Sequence, residues 1–300
     1  MFKKQKTLQQ RFFLAETVDV LEKLKTEPGF DVNIKGASGN TALFTANLEK
    51  TKWLIANGCD INFINKKNQN ALFKLKVKDF EKLKVLIKNG INIEQEDIYG
   101  CNFLHNLNNV VIDKLANTEN DINISKLINK KTKSEKETPL LYNHLKKNVE
   151  DVKNLIKLGA NPNLRTYSGE NALHIYCYNY EVFKYLIENI KFKNLSKMLN
   201  DGTYLRNPTA DNLLYTLADL LRAATKEDKE VEKEKIYLLK EYYPKETEKM
   251  LTDIFDNYSR LDKRVVTELM ELKALTEKEE LMNSLEGINN HSSKHTKKRI

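Results

Sequence analysis

A short phrase, in which a Thr or Asn precedes a Leu by two positions, returns five times along this 300-residue chain. The start-to-start spacings are 29, 32, 36 and 33 residues. Self-similarity with a fixed period of about 20 to 50 residues is typical of folds that stack one supersecondary unit on the next. The chain is therefore expected to form a row of similar units. The phrase occurs as Thr41-Ala-Leu-Phe44, Asn70-Ala-Leu-Phe73, Asn102-Phe-Leu-His105, Thr138-Pro-Leu-Leu141 and Asn171-Ala-Leu-His174.

A second phrase, rich in Asp and Asn, alternates with the first. Apolar clusters at helical spacing lie between the two phrases, and a glycine follows three of them, at Gly58, Gly90 and Gly159. Thr and Asn are favoured N-caps, Gly often ends a helix, and short polar side chains favour turns. Each unit is therefore predicted to open on an N-cap, to contain helices and to end in a turn. The second phrase reads Asp31-Val-Asn33, Asp60-Ile-Asn62, Asn92-Ile-Glu94, Asp121-Ile-Asn123 and Asn161-Pro-Asn163.

The unit from Glu137 to Asn163 resembles an ankyrin repeat, with Thr138-Pro-Leu near its start and Leu155-Ile-Lys-Leu-Gly-Ala-Asn161 near its end. The ankyrin repeat has a period of about 33 residues and consists of a β-turn and two antiparallel helices. The resemblance implies an all-α fold, an ankyrin-type helix-turn-helix solenoid with short β-turn hairpins. The low content of glycine and proline, 10 and 5 residues, also favours helices.

Two departures from the regular period lead to further expectations. The units at 41–58 and 102–117 are short, so their helices are expected to be clipped or the turn between them rebuilt. The spacing of 36 residues indicates an insertion, which we place around Asn129–Lys136 at a hairpin tip.

The repeats are expected to span residues 1–190, with an N-terminal cap at 8–33 and repeats opening near 41, 70, 102, 138 and 171. Residues 191–288 are expected to form a helical C-terminal extension or cap, because amphipathic spacing continues there. Residues 289–300 have no apolar periodicity and are expected to be a disordered basic tail. The helical patterns of the extension lie at 211–224, 231–243, 247–260 and 262–286.

No sequence motif of a known catalytic or phosphate-binding site is found in the chain. Cys59, Cys101 and Cys177 lie far apart, so neither a disulfide framework nor a structural zinc site is expected. In ankyrin repeats the histidine of the opening phrase is structural, which implies a structural role for His105 and His174. We therefore expect no catalytic residue, no metal and no cofactor, and we expect that the chain is not an enzyme.

The formal net charge of +8 raises the question of nucleic-acid binding. The basic residues are nearly all Lys, whereas base readout relies on the bidentate guanidinium of Arg. Nucleic acid is thus an unlikely partner, and a protein partner with an acidic surface is expected. Two alternatives stay open: a basic nucleic-acid-associated protein, and an enzyme with an unrecognised site in the C-terminal helical region.

The resemblance implies that partners bind to the hairpin tips and the exposed side of the first helices, on a concave face. Tyr covers much contact area at a small entropy cost, so the tyrosines are the expected anchors. Two other interpretations stay open: Tyr176 and Tyr180 pack against the helices after residue 190, and the tip lysines only confer solubility. The candidate contact residues are Lys66, Lys67, Tyr99, Lys130, Lys131, Tyr142, Lys146, Tyr167, Tyr176 and Tyr178.

No apolar run in the sequence approaches the roughly 20 residues of a membrane span, and the start of the chain lacks the apolar segment of a secretory signal. We therefore expect a cytoplasmic protein that does not enter a membrane. Delivery into a host cell by a non-classical route is compatible with these features.

Overall fold

A computed structural model of the chain describes residues 6–107, 109–119, 121–142, 147–192, 226–248 and 274. The regular structure in these residues is helical, with no strand among them. The chain divides into two compact units, Met1–Ile175 and Tyr176–Ile300. The α-helices are α1 (Leu8–Leu14), α2 (Val18–Lys25), α3 (Leu48–Ala56), α4 (Phe80–Lys88), α5 (Asn109–Asn117), α6 (Val149–Lys157), α7 (Ala172–Ile175), α8 (Tyr180–Asn189) and α9 (Lys226–Tyr242).

Four of the five opening phrases form very short helices, as predicted for the short units at 41–58 and 102–117, and the fourth phrase forms a turn. Three of them are single turns of 3-10 helix, Ala42–Phe44, Ala71–Lys74 and Phe103–Asn106, and the last is α7. The leucine of each phrase is buried, and burying one such side chain stabilises the fold by about 1.5 to 3 kcal/mol. These leucines are Leu43, Leu72, Leu104, Leu140 and Leu173.

The predicted N-caps are confirmed for the three asparagines. The side-chain oxygen of Asn70 accepts from Leu72 N at 3.1 Å, and Asn102 and Asn171 accept in the same way from the residue two positions later. The prediction is wrong for Thr41 and Thr138, whose buried hydroxyls have no hydrogen-bond partner among the described residues. A Thr hydroxyl lies one bond nearer the backbone than the Asn carbonyl oxygen, which shortens its reach.

The predicted helix-stop glycines are confirmed. Gly58, Gly90 and Gly159 follow α3, α4 and α6 with φ angles of 77°, 85° and 96°. Helices commonly end on a left-handed residue of this kind. The chain then enters the Asp/Asn phrase.

Asparagines of the second phrase connect neighbouring units. Asn62 Nδ2 donates to Gly90 O at 3.0 Å, and its Oδ1 accepts from Asn92 N at 2.7 Å. Asn33 makes the same pair of contacts with Gly58 O and Asp60 N.

In the fourth phrase the predicted register is wrong. Asn129, and not Asn123, makes the bridging contacts, with Gly159 O at 2.9 Å and Asn161 N at 2.7 Å. Asn123 instead accepts from Ser125 N in a local turn. Most of the inserted residues therefore lie between α5 and Asn129, and the hairpin tip itself is only one residue longer than the others.

The N-terminal segment contains the helix pair α1 and α2. Thr7 and Gln10 form a capping box at the start of α1. Phe12 is buried and packs edge-to-face on Phe30, and Phe30 packs in the same way on Trp53 of α3. These aromatic contacts bind the first helix pair to the unit that follows it.

In the second compact unit, α8 packs on α9. The hydroxyl of Tyr243 donates to Ile190 O at 3.0 Å, so the residues after the two helices are also joined. Helix α9 covers most of the pattern predicted at 231–243. The patterns predicted at 211–224 and, apart from residues 247, 248 and 274, at 247–260 and 262–286 lie outside the described residues, as does the predicted tail at 289–300.

Among the described residues, no helix combines the length and the apolar character that crossing a bilayer requires.

Candidate interaction surface

Five hairpin tips in the first compact unit share one backbone geometry. In each, an N–H near the start of the turn donates to a carbonyl near its end, and the residue just before the acceptor has a positive φ. Asn68 and Lys136 adopt this conformation at two of the tips, where the other three have glycine. The closing bonds are Gly36 N to Asn40 O, Asn65 N to Gln69 O, Asp97 N to Cys101 O, Thr132 N to Glu137 O and Thr166 N to Glu170 O, at 2.8–3.0 Å.

Successive tips are bonded to one another. Ile98 N donates to Lys67 O at 3.1 Å, Lys133 N to Tyr99 O at 2.9 Å, and Tyr167 N to Glu135 O at 2.6 Å. The first two tips are joined by Asn65 Nδ2, which donates to Asn40 Oδ1 at 2.8 Å. The tips therefore form one continuous row, in which exposed side chains from different units lie along the same edge.

Four of the predicted contact residues lie on this row and are exposed. Tyr167 and Tyr99 have exposed fractions of 74% and 60%, and Lys66 and Lys67 are also exposed. Ile98 at 48% and the exposed Lys133 lie on the same row and were missed by the sequence analysis. We call these six residues, Lys66, Lys67, Ile98, Tyr99, Lys133 and Tyr167, the tip surface.

Lys130 and Lys131 were predicted to lie at a tip, and this placement is wrong. They lie just before the turn that Thr132 opens, because the register in this unit is set by Asn129. Lys130 forms a salt bridge with Glu96 at 2.7 Å, and Lys131 Nζ donates to Arg165 O at 2.6 Å. Both lysines thus contact neighbouring units.

Tyr142, a predicted contact residue, is half-buried next to the fourth tip. Its ring packs edge-to-face on His105 at a centroid distance of 5.5 Å, and its hydroxyl hydrogen-bonds the thiol of Cys101. Much of its area is therefore used inside the unit. Lys146 lies outside the described residues.

In the second compact unit, the prediction of an exposed Tyr176 is wrong. Only 2% of this residue is exposed, and the carbonyl of the next residue, Cys177, accepts from Lys235 Nζ of α9 at 2.6 Å, so this stretch lies in the core of the unit. Tyr178, two positions later, is 65% exposed.

The histidines and thiols show the structural chemistry expected from the resemblance. His105 Nδ1 lies 3.1 Å from Asn102 N and 2.9 Å from Asn102 Oδ1, and Nε2 lies 3.3 Å from Glu137 O of the next tip, so both ring nitrogens are used inside the fold. Burial lowers the pKa of His105 to about 4. Burial raises the pKa of the Cys101 thiol to about 11, which leaves little thiolate at neutral pH for nucleophilic chemistry.

Within the described ranges, no group of three or more His, Cys, Asp or Glu side chains is arranged to hold a metal ion.

The sequence analysis did not predict three buried lysines. Lys50 on α3, Lys82 on α4 and Lys235 on α9 have exposed fractions of 4%, 1% and 1%. Each ammonium group donates to a backbone carbonyl at or just after the end of a short helix. The signal that points to two of them is the repeated Glu-Lys pair at the second and third positions of α3 and α4.

Comparison with known proteins gives one relative in sequence. A protein of Acanthamoeba polyphaga mimivirus, named as an ankyrin repeat protein, is 30% identical over 174 residues, which cover 53% of this chain. The likeness indicates an ankyrin-repeat relationship over about half of the chain. The chain spans only 21% of the length of that relative. No family model matches the chain.

The chain is also similar to solved structures, among them a chain from a complex of two proteins. The complex contains the Bd0816 predatory endopeptidase from Bdellovibrio bacteriovorus and the immunity protein Bd3460. The TM-score is 0.48 with 24% identity, and the similarity covers 62% of this chain and 100% of that one.

Proposed function

We propose that this chain is a non-catalytic protein-interaction module, an ankyrin-type solenoid that binds a partner protein along the tip surface. The observation that carries the proposal is the bonded row of hairpin tips, which brings exposed side chains of different units onto one edge. The ankyrin-repeat relationship to the mimivirus protein supports it.

The composition of the tip surface suits a protein partner. Two well-exposed tyrosines, Tyr99 and Tyr167, lie on the third and fifth tips of the row, with Lys133 of the fourth tip between them, and Ile98 adds apolar area beside Tyr99. Tyrosine is enriched among the residues that contribute most to binding energy in protein interfaces. The remaining three side chains of the surface are lysines, which favours an acidic partner.

The direct test is capture of partners from native lysate by the full chain, with quantification by mass spectrometry. The test variant is Tyr99→Ala with Tyr167→Ala, and the matched control is Tyr237→Ala with Tyr242→Ala, which removes two exposed tyrosines of α9. We expect the tip variant to lose at least 90% of a captured protein that the wild type and the control retain. Equal recovery by all three proteins would refute the proposed surface.

An acidic partner implies a dependence on salt. Ions screen attraction between exposed charges, so affinity should fall when ionic strength is raised from about 50 to about 500 mM. The measurement is a binding isotherm of the captured protein at both salt concentrations. An affinity that does not change with salt concentration would refute an acidic partner, whereas binding through the tyrosines would still stand.

Nucleic-acid association is the second candidate, favoured by the formal net charge of +8. A gel-shift assay with double- and single-stranded DNA and RNA at low salt separates the two functions. If micromolar concentrations of the protein do not shift any of these nucleic acids, nucleic-acid binding is refuted, because non-specific binding is strongest at low salt.

A further inference from the structure

A cleft lies in the first compact unit, away from the tip surface and next to the turns that follow the first two short helices. Its volume is about 390 Å³. Its apolar walls come from Phe13 near the end of α1 and Ala15 just after it, and from Phe44 and Ala46 in and after the 3-10 helix of the next unit. We call it the lysine cleft because Lys50, Lys76, Lys78 and Lys82 also line it.

Two of these lysines are buried. Lys50 Nζ donates to the carbonyls of Phe12 and Ala15 at 2.6 and 2.9 Å, and to that of Phe13 at 3.2 Å. Lys82 Nζ donates to Ala46 O at 2.8 Å. An ammonium group can donate three hydrogen bonds, so the contacts of Lys50 fill its capacity and the one contact found for Lys82 does not.

Neither buried ammonium group lies within salt-bridge distance of a carboxylate in the part of the chain that the structure describes. Removing a charge from water is costly unless an opposite charge compensates for it. Burial accordingly lowers the pKa of Lys50 to about 8 and the pKa of Lys82 to about 8. A negative group entering the cleft would relieve this cost.

The charges around the cleft also favour a negatively charged ligand. Lys76 and Lys78 are exposed, whereas only two carboxylates, Glu16 and Asp79, line the cleft. Asp79 Oδ2 already accepts from Lys76 N at 2.8 Å. Four lysines against two carboxylates leave the lining positive, and its apolar walls can accommodate the carbon atoms next to an acidic group.

We propose that the lysine cleft binds an Asp or Glu side chain of an acidic peptide segment, together with an apolar residue beside it. The inference rests on the proposed function in that the segment belongs to a partner protein. It assigns a second contact region that shares no residue with the tip surface.

The test uses selection from a library of random heptapeptides displayed on phage, with the full chain as the target. We expect the recovered peptides to share an Asp or Glu next to an apolar residue. A recovered peptide should bind at least tenfold more tightly than the same peptide with its Asp and Glu replaced by Asn and Gln. Both peptides carry an amidated C-terminus, so that only the side-chain carboxylate differs.

The variants locate the binding site. The double variant Lys76→Glu with Lys78→Glu reverses two exposed charges at the cleft. It should lower the affinity for the selected peptide at least tenfold. Lys88→Glu with Lys74→Glu makes the same charge change at exposed lysines outside the cleft and should change affinity less than twofold. Unfolding midpoints equal to that of the wild type show that the variants are folded.

Three outcomes would overturn the inference: no recovered peptides, recovered peptides without a carboxylate, and equal loss in the two double variants. Inorganic phosphate at millimolar concentration that fully displaces the peptide would identify a site for small anions and also overturn it. The tip variant Tyr99→Ala with Tyr167→Ala should still bind the peptide, so failure of the cleft and failure of the tip surface give different results.

Discussion

At the scale of single residues, asparagine side chains carry much of the contact between units. An amide both donates and accepts, so Asn62 and Asn129 can each bond a carbonyl and an N–H of the next unit at the same time. A carboxylate at these positions could only accept. The Asp/Asn phrase therefore joins neighbouring units as well as forming turns.

Two tips approach each other closely at Gly100. Its φ is +78°, and a Cβ there would lie 2.7 Å from Lys133 Cγ and 3.0 Å from Lys133 N. Gly100→Ala should therefore lower the free energy of unfolding by about 2 to 4 kcal/mol, through both strain and overpacking. Urea denaturation followed by circular dichroism measures the change.

The matched control is Gly39→Ala, at the equivalent position of an earlier tip. Its φ is +76°, but nothing lies within 4 Å of the added Cβ. Only the conformational strain of about 1 to 2 kcal/mol is expected there. Equal losses in the two variants would show that Gly100 and Lys133 are not in close contact.

The burial of His105 makes stability depend on pH. Its folded-state pKa is about 4, below the ordinary value of 6.5, so the unfolded chain binds more protons between these two values. Its contribution is therefore complete above about pH 6.5 and is lost as pH falls towards 4, with a total on the order of 3 kcal/mol.

His105→Gln tests this directly, because glutamine does not titrate. We expect the free energy of unfolding to fall between pH 7 and pH 4.5 by about 2 kcal/mol more in the wild type than in the variant. Urea midpoints at both pH values give the comparison. The same pH dependence in both proteins would mean that His105 is not buried in its neutral form.

At the scale of elements, the lysines at the third position of α3 and α4 connect each helix to the preceding unit. Lys50 bonds three carbonyls in the last turn of α1 and just after it, whereas Lys82 bonds one after the next short helix. Such carbonyls are left without an intrahelical partner at a helix end. The ammonium groups thus satisfy acceptors that the short helices cannot satisfy themselves.

Replacement by methionine keeps the length of the side chain and removes the donors. Lys50→Met leaves up to three carbonyls without this donor and should destabilise the protein by about 2 to 4 kcal/mol. Lys82→Met leaves one and should cost about 1 kcal/mol, partly offset by relief of the buried charge. Thermal and urea unfolding of both variants show which substitution lowers the free energy of unfolding more. A larger decrease for Lys82→Met than for Lys50→Met would contradict this account.

The sequence predicts helices and turns well where a residue acts through its own backbone. The caps at Asn70, Asn102 and Asn171 and the stops at Gly58 and Gly90 depend on neighbours in the chain, and these predictions are confirmed. Thr41 and Thr138 are as buried as the three asparagines but do not cap, because the shorter Thr side chain does not reach the backbone N–H at these positions, and the local sequence does not reveal this.

The candidate site was predicted less completely for the same reason. The exposure of Lys66, Lys67, Tyr99 and Tyr167 follows from their position in a hairpin tip. Tyr176, by contrast, follows an opening phrase and is buried by contacts with residues distant in sequence. The buried Lys50 and Lys82 are likewise invisible to composition, since lysine is ordinarily a surface residue.

At the scale of the molecule, the first compact unit is held together by contacts between each repeated unit and the next. The tips are bonded in order, the asparagine bridges connect consecutive phrases, and α3 packs on α4 as α5 packs on α6. Arrays of stacked repeats gain stability from the interfaces between neighbouring repeats. The tip surface exists only while these interfaces are intact.

Hydrogen exchange of three backbone amides tests this claim most directly. The N–H groups of Ile98, Lys133 and Tyr167 each donate to the preceding tip. We expect all three to exchange at least a hundredfold more slowly than in an unstructured peptide, since an amide exchanges only after its hydrogen bond opens. Exchange of these amides at the rate of an unstructured peptide would contradict the bonded row of tips and the interaction surface built on it.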